Sequence, residues 1–295
     1  MKPKDFRGII PPIMTAFTRE GEVYEKGMRE IVDFIVPHVQ ALFPCGTYGS
    51  GPMMALEERK NVAEIVIDQV KGRVPVIVHV GTADTKNTIE LARHAQELGA
   101  AAVGAITPYY NKYDEETIFT HFQHLIKSVG IPVFLYDNPN CSGNNVSMDL
   151  LVRLAREGLG GIKDSTFDMV NYCHARIALK EFPEMNLISG TEALFVASFD
   201  AGATAFVPGL GNVYPDLVGR MYQQYLDGDR DNLMKTQEQV LIVRQITKYG
   251  PTVPTCHAIL KMRGVNSGYP RLPLKPVSAE IEEKVKKSLK SMNLL

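Results

Sequence analysis

Residues 148–180 read MDLLVRLAREGLGGIKDSTFDMVNYCHARIALK. Met148–Arg156 has helical spacing, Leu159–Lys163 is a short apolar run of strand length, and Phe167–Lys180 is helical again. The hexapeptide Gly160-Gly161-Ile162-Lys163-Asp164-Ser165 lies at the centre. A lysine ending an apolar strand is costly to bury unless it is paired or neutralised. Burial also lowers its pKa, which leaves more free amine, the nucleophile that forms an imine with a ketone. On the hexapeptide alone, a lysine reaching past the strand end into water is the simpler reading. The rest of the chain reverses that preference.

Working outward, the same alternation recurs. Apolar runs at Gly8–Phe17, Ala41–Cys45, Val74–Val80, Ala101–Ile106, Val133–Tyr136, Leu187–Ser189 and Thr204–Val207 read as strands. Helical periods fall between them at Glu25–Val36, Leu56–Val70, Thr85–Leu98, Asp114–Ser128, Ala193–Phe199 and Tyr214–Leu226. Together with the central unit this makes eight strand-then-helix repeats. Such repeats need crossover connections and hence a parallel sheet, so the expected fold is an α/β (β/α)8 TIM barrel over residues 1–227. A doubly wound open sheet is the alternative, but it usually has fewer strands, and no GxGxxG turn follows the first strand. Residues 228–295 show helical periods only, at Asp229–Tyr249, Thr255–Arg263 and Ser278–Asn293. They are expected to form a C-terminal helical extension packed on the barrel.

Bulk properties exclude several functions. With 32 basic and 33 acidic residues the formal charge is −1, and no basic stripe suits a nucleic acid. Cys45, Cys141, Cys173 and Cys256 form no CxxC pair, which fits a reducing compartment better than a zinc ribbon. No apolar run approaches the ~18 residues of a membrane span, and the charged start lacks a signal core, so a cytoplasmic protein is expected. The seven histidines show no metal spacing. His79 alone lies near a strand end.

In such a barrel the chemistry sits at the C-terminal strand ends. The second strand ends in Gly46-Thr47-Tyr48-Gly49-Ser50-Gly51. Its glycines allow backbone amides to turn inward on a small anion, although an unliganded turn explains them as well. The fifth strand ends at Tyr136, where a tyrosine beside a lysine can relay protons if Thr47 and Tyr110 hold it, or can be an ordinary buried aromatic. Asp137 and Asp164 read as structural carboxylates. Gly46 and Val207, at the ends of the second and eighth strands, complete the candidate pocket wall.

The motifs PPIMTAF, GTYGSG, ITPYYNK, LYDNP, GIKDS and GATAFVPGLGNVYP occur in this order over nearly the whole chain. Together they resemble the N-acetylneuraminate lyase / dihydrodipicolinate synthase family of pyruvate-handling (β/α)8 lyases. The resemblance implies that Lys163 forms an imine with a 2-oxo acid and that Tyr136 relays protons. It further implies that Thr47 and Tyr48 receive the pyruvate carboxylate, and that Tyr110 is lent to a neighbouring subunit of a homotetramer. Neither metal nor organic cofactor is called for. The implied reaction makes or breaks a C–C bond between pyruvate and an aldehyde, with a 2-oxo-3-deoxy sugar acid or similar hydroxylated 2-oxo acid as the leading substrate class. A dehydratase or hydratase-aldolase follows from the same imine. A 4-hydroxy-tetrahydrodipicolinate synthase would need another cation, because Cys141 stands where that branch has a carboxylate-binding arginine. A non-catalytic 2-oxo-acid-binding protein is the alternative of a different class. Tyr48, Ser50 and Pro208 also depart from the family pattern.

Overall fold

The computed structural model describes all 295 residues. Its strands are β1 (Gly8–Ile9), β2 (Ile77–His79), β3 (Ala102–Ile106), β4 (Val133–Asp137), β5 (Gly161–Asp164), β6 (Asn186–Ser189) and β7 (Ala205–Phe206). Its helices are α1 (Glu25–Ile35), α2 (Leu56–Val70), α3 (Thr85–Glu97), α4 (Glu115–Ser128), α5 (Pro139–Ser142) and α6 (Met148–Arg156). They continue with α7 (Met169–Ala178), α8 (Phe195–Asp200), α9 (Pro215–Leu226), α10 (Arg230–Ile246), α11 (Thr252–Met262) and α12 (Ala279–Ser291). The seven strands form one curled parallel sheet in the order β1-β7-β6-β5-β4-β3-β2. Helices cover its outer face.

Several helix starts are fixed by a local side-chain oxygen that accepts an orphan backbone N–H. Asp84, Asp114, Ser147 and Asp168 cap α3, α4, α6 and α7 in this way. The strands alternate, with one side chain facing the ring interior and the next facing the helices. The inward set includes Phe6, Phe43, Phe134, Ala102, Ala205 and Val207, which pack on one another. Small residues make room for the rings: a Cβ on Gly161 would collide with Phe134. Phe6 and Phe134 meet edge to face at 5.4 Å. This aromatic layer fills the ring below Lys163.

The expected second strand, Ala41–Cys45, is not an assigned strand. Only Leu42 pairs, in parallel with Val76. The physical reason is local. Pro11, Pro12, Pro44 and Pro75 lie in or beside this seam and bring no N–H, and Cys45, at φ 62°, turns the chain out of extended geometry. Residues 40–44 still bond to both edges of the sheet. Gln40 and Ala41 donate to the Ile9 carbonyl, and Phe43 donates to Pro11. On the other side Leu42 donates to Pro75, while Ile77 and His79 donate to Leu42 and Pro44.

Residues beyond 227 are helical, as the periods predict. Helix α10 lies against α9 and the short turn 192–194. The Gln237 amide donates to the Glu192 carbonyl at 3.1 Å. Arg263 donates to the Val213 carbonyl and pairs with Asp216 at 3.1 Å. No helix is long and apolar enough to cross a membrane.

Candidate active site

Register places the two key side chains side by side. Tyr136 on β4 pairs with Lys163 on β5, so both point into the ring from adjacent strands. Lys163 is only 5 % exposed. Its amine lies 3.3 Å from the centre of the Tyr136 ring and donates to Ser165 Oγ at 2.9 Å. It borders a cavity of about 110 Å³ whose wall includes Thr47, Tyr48, Tyr136, Asn138, Ser165, Val207 and Arg244. Burial pushes the Lys163 ammonium below its usual pKa, partly opposed by Tyr136. The free amine is therefore more accessible near neutral pH than in an exposed lysine.

The Tyr136 hydroxyl lies 3.3 Å from Thr47 Oγ1 and accepts from Asn138 Nδ2 at 2.8 Å. Burial alone would raise its pKa. The Lys163 charge and the bonds from Thr47 and Asn138 outweigh burial and bring the phenol below its ordinary value. Lysine and tyrosine thus exchange charge preference in a site closed to bulk water. The ring itself is held edge-on by Phe43 at 6.3 Å and His79 at 6.0 Å.

His79 is no base for this chemistry. Its Nε2 accepts from the Ile106 amide, which leaves Nδ1 to donate to the Cys45 carbonyl. Burial and the nearby charges of Arg59 and Lys163 hold its pKa well below the ordinary value.

The turn at Gly46–Gly51 has unspent donors. The Ser50 and Gly51 amides bond to the carbonyls of Thr47 and Gly46, whereas those of Thr47, Tyr48 and Gly49 make no hydrogen bond within the chain. Gly46 forms the base of the turn and is not on the cavity wall. Tyr48 packs flat on Gly209, where a Cβ would collide with its phenol ring. Tyr110 is 94 % exposed with φ 84° and takes no part in the cavity of its own chain. Cys141, on α5, is exposed and also lies off the wall.

Sequence reasoning missed five wall residues. Asn138 and Ser165 lie two positions beyond Tyr136 and Lys163, so strand alternation would have placed them on the same face. Glu192 and Phe167 follow the ends of β6 and β5 by a few residues. Arg244 comes from α10, and its Nε lies 3.0 Å from Glu192 Oε1. A larger open groove of about 1230 Å³ lies between α3 and α4. It is a shallow charged surface without Lys163, and we assign the chemistry to the smaller cavity.

One carboxyl on the outer face is out of balance. Asp137 is buried beside its register partner Asp164, and its Oδ1 has no hydrogen-bond partner. Burial, reinforced by Asp164, pushes its pKa up to about 7. A carboxyl whose folded pKa is raised holds its proton better when folded. Its contribution is therefore favourable at low pH and is lost as pH climbs through about 7. Asp137→Asn is expected to gain on the order of 2 kcal/mol over wild type at pH 8 and little at pH 5. Calorimetric unfolding at the two pH values checks this, and an equal shift at both would remove the role of ionisation.

Residues 5–292 match the Dihydrodipicolinate synthetase family model. The chain belongs to this family. A DapA-like lyase of Halobacterium salinarum is 32% identical, covering 99% of this chain and 96% of that one. A 4-hydroxy-tetrahydrodipicolinate synthase of Methanothrix thermoacetophila is 33% identical, covering 98% and 97%. Among solved structures, YagE of E. coli K12 in complex with pyruvate superposes with a TM-score of 0.94 at 27% identity, covering 98% and 99%. CdNal of Clostridium difficile in complex with mannosamine gives 0.92 at 26%, covering 97% and 99%. Like other members of the dihydrodipicolinate synthetase family, the chain is a carbon–carbon lyase, with the parallel α/β architecture of that family.

Proposed function

We propose that Lys163 forms a Schiff base with a 2-oxo acid and that the cavity makes or breaks the C3–C4 bond of a hydroxylated 2-oxo acid. The observation that carries this is the buried Lys163 amine against the Tyr136 ring at the floor of a small cavity. The substrate carboxylate lies on the free amides of Thr47, Tyr48 and Gly49. The Lys163 nitrogen adds to C2 and water leaves, giving a protonated imine. The C4 hydroxyl gives its proton to the Tyr136 oxygen as the C3–C4 electron pair moves into the imine. The aldehyde departs and an enamine remains. A proton returns to C3, and water releases pyruvate and the free amine. Gly46 shapes the turn, and Val207 bounds the cavity from the far strand.

This reading takes residues 40–44 as the eighth strand of a (β/α)8 barrel over residues 1–227, with residues 228–295 as its extension. It takes Tyr110 as a residue offered to a neighbouring subunit in a homotetramer, because a tyrosine so exposed has no task in its own chain. A cytoplasmic setting fits four free cysteines.

The test is direct. Incubation with pyruvate and borohydride is expected to give one stable adduct, mapped by peptide mass to Lys163. An unmodified Lys163 after that treatment would refute the imine.

A further inference from the structure

We infer that Arg244 reads the second half of the substrate, and that this half is a short fragment ending in a carboxylate. The inference rests on the imine reading of Lys163 given above.

Only two basic side chains border the cavity, Lys163 and Arg244. The free amides at Thr47–Gly49 already serve the carboxylate beside the ketone. Arg244 is therefore a second anion receiver, and it comes from a helix rather than a strand. Its guanidinium is partly buried, with 22% of the side chain exposed, and pairs through Nε with Glu192, whose side chain is 4% exposed. Nη1 and Nη2 make no hydrogen bond within the chain. With Nε committed, that terminal edge of the planar fork is the one left to take both oxygens of a carboxylate.

The cation is held in place at several points. Gln237, two turns earlier on α10, binds the Glu192 carbonyl. Phe167 lies 5.8 Å from the guanidinium carbon and has φ 63°, a backbone state unusual for phenylalanine. Such over-determined geometry suits a group that must meet a ligand at a fixed place.

Size supplies the second constraint. The cavity, about 110 Å³, is well below the ~300–1,000 Å³ typical of ligand sites. Tyr48, seated on Gly209, fills space that a smaller hydroxyl residue would leave open. A long polyol tail does not fit between Lys163 and Arg244. The class selected is a short 2-oxo acid with a carboxylate at each end, cleaved to pyruvate and a small carboxylated aldehyde.

The test is condensation of pyruvate with aldehydes matched in length: glyoxylate against glycolaldehyde, and succinic semialdehyde against butanal. Wild type is expected to favour the carboxylated member of each pair by about tenfold or more in kcat/KM. Single removal of Arg244 would strand the buried Glu192 charge, so the variant used is the double E192Q/R244Q. It is expected to lose carboxylate preference by about ten- to a hundred-fold while holding neutral aldehydes within about twofold. R244K, which keeps charge without the fork, is expected to fall between the two. The borohydride adduct at Lys163 should form in every variant. Equal loss for both aldehyde classes, or a wild-type preference for the neutral member, would overturn the inference while leaving the imine intact. Absence of the adduct in wild type would instead overturn the reading on which it rests.

Discussion

Lys163→Met is expected to lower turnover by about 10⁴-fold or more and to abolish the pyruvate adduct, because no other amine borders the cavity except the guanidinium of Arg244. Methionine keeps the length of the stem and fills the floor of the site, so the ring should remain packed. The same change is expected to raise the thermal midpoint. A buried lysine whose folded pKa is depressed binds its proton more weakly in the folded state than in the unfolded chain. Between the depressed and the ordinary value folding is therefore penalised, and the penalty fades as pH rises toward the lysine range. The gain from Lys163→Met should accordingly be largest at neutral and lower pH and shrink in alkali. Steady-state rates, adduct mass and melting at three pH values measure the three effects. A variant that kept more than a tenth of wild-type turnover would remove Lys163 from the mechanism.

Tyr136→Phe carries the second large effect. Loss of the hydroxyl is expected to cost about 10²- to 10⁴-fold in kcat, the range of a positioned proton donor or acceptor. The ring stays, still held by Phe43 and His79, so the floor of the cavity keeps its shape. The imine should still form, more slowly, because the ketone is attacked by Lys163 and not by the phenol. Burst kinetics with pyruvate separate the steps: a trapped adduct that accumulates but does not turn over is the expected signature. The change also strips Asn138 Nδ2 of its acceptor, at a stability cost of about 1 kcal/mol. A loss of activity explained by that destabilisation alone, with kcat per folded molecule unchanged, would count against the relay.

Much of this was legible because strand alternation and helical period are local properties. The spans Leu56–Val70 and Met148–Arg156 read from spacing are those of α2 and α6. Lys163 and Tyr136 were legible from their positions at strand ends. The seam at residues 40–44 was read as a regular strand because its residues are apolar, whereas prolines on either side remove the donors that a regular ladder requires. Arg244 was not legible at all. In its own helix it is an ordinary basic residue in the last turn, where it complements the helix dipole. Its approach to Glu192 across 52 positions (244 − 192) depends on how α10 lies against the turn after β6. Only tertiary packing makes that placement.

The phenylalanines beneath Lys163 have a consequence for the order of events. With the ring plugged at that end, ligands enter and leave through one mouth, and the innermost seat must be taken first and vacated last. Pyruvate therefore binds ahead of the aldehyde in synthesis and departs after it in cleavage. Initial-rate plots should show parallel lines for a double-displacement scheme, and excess aldehyde should inhibit by barring the door to pyruvate.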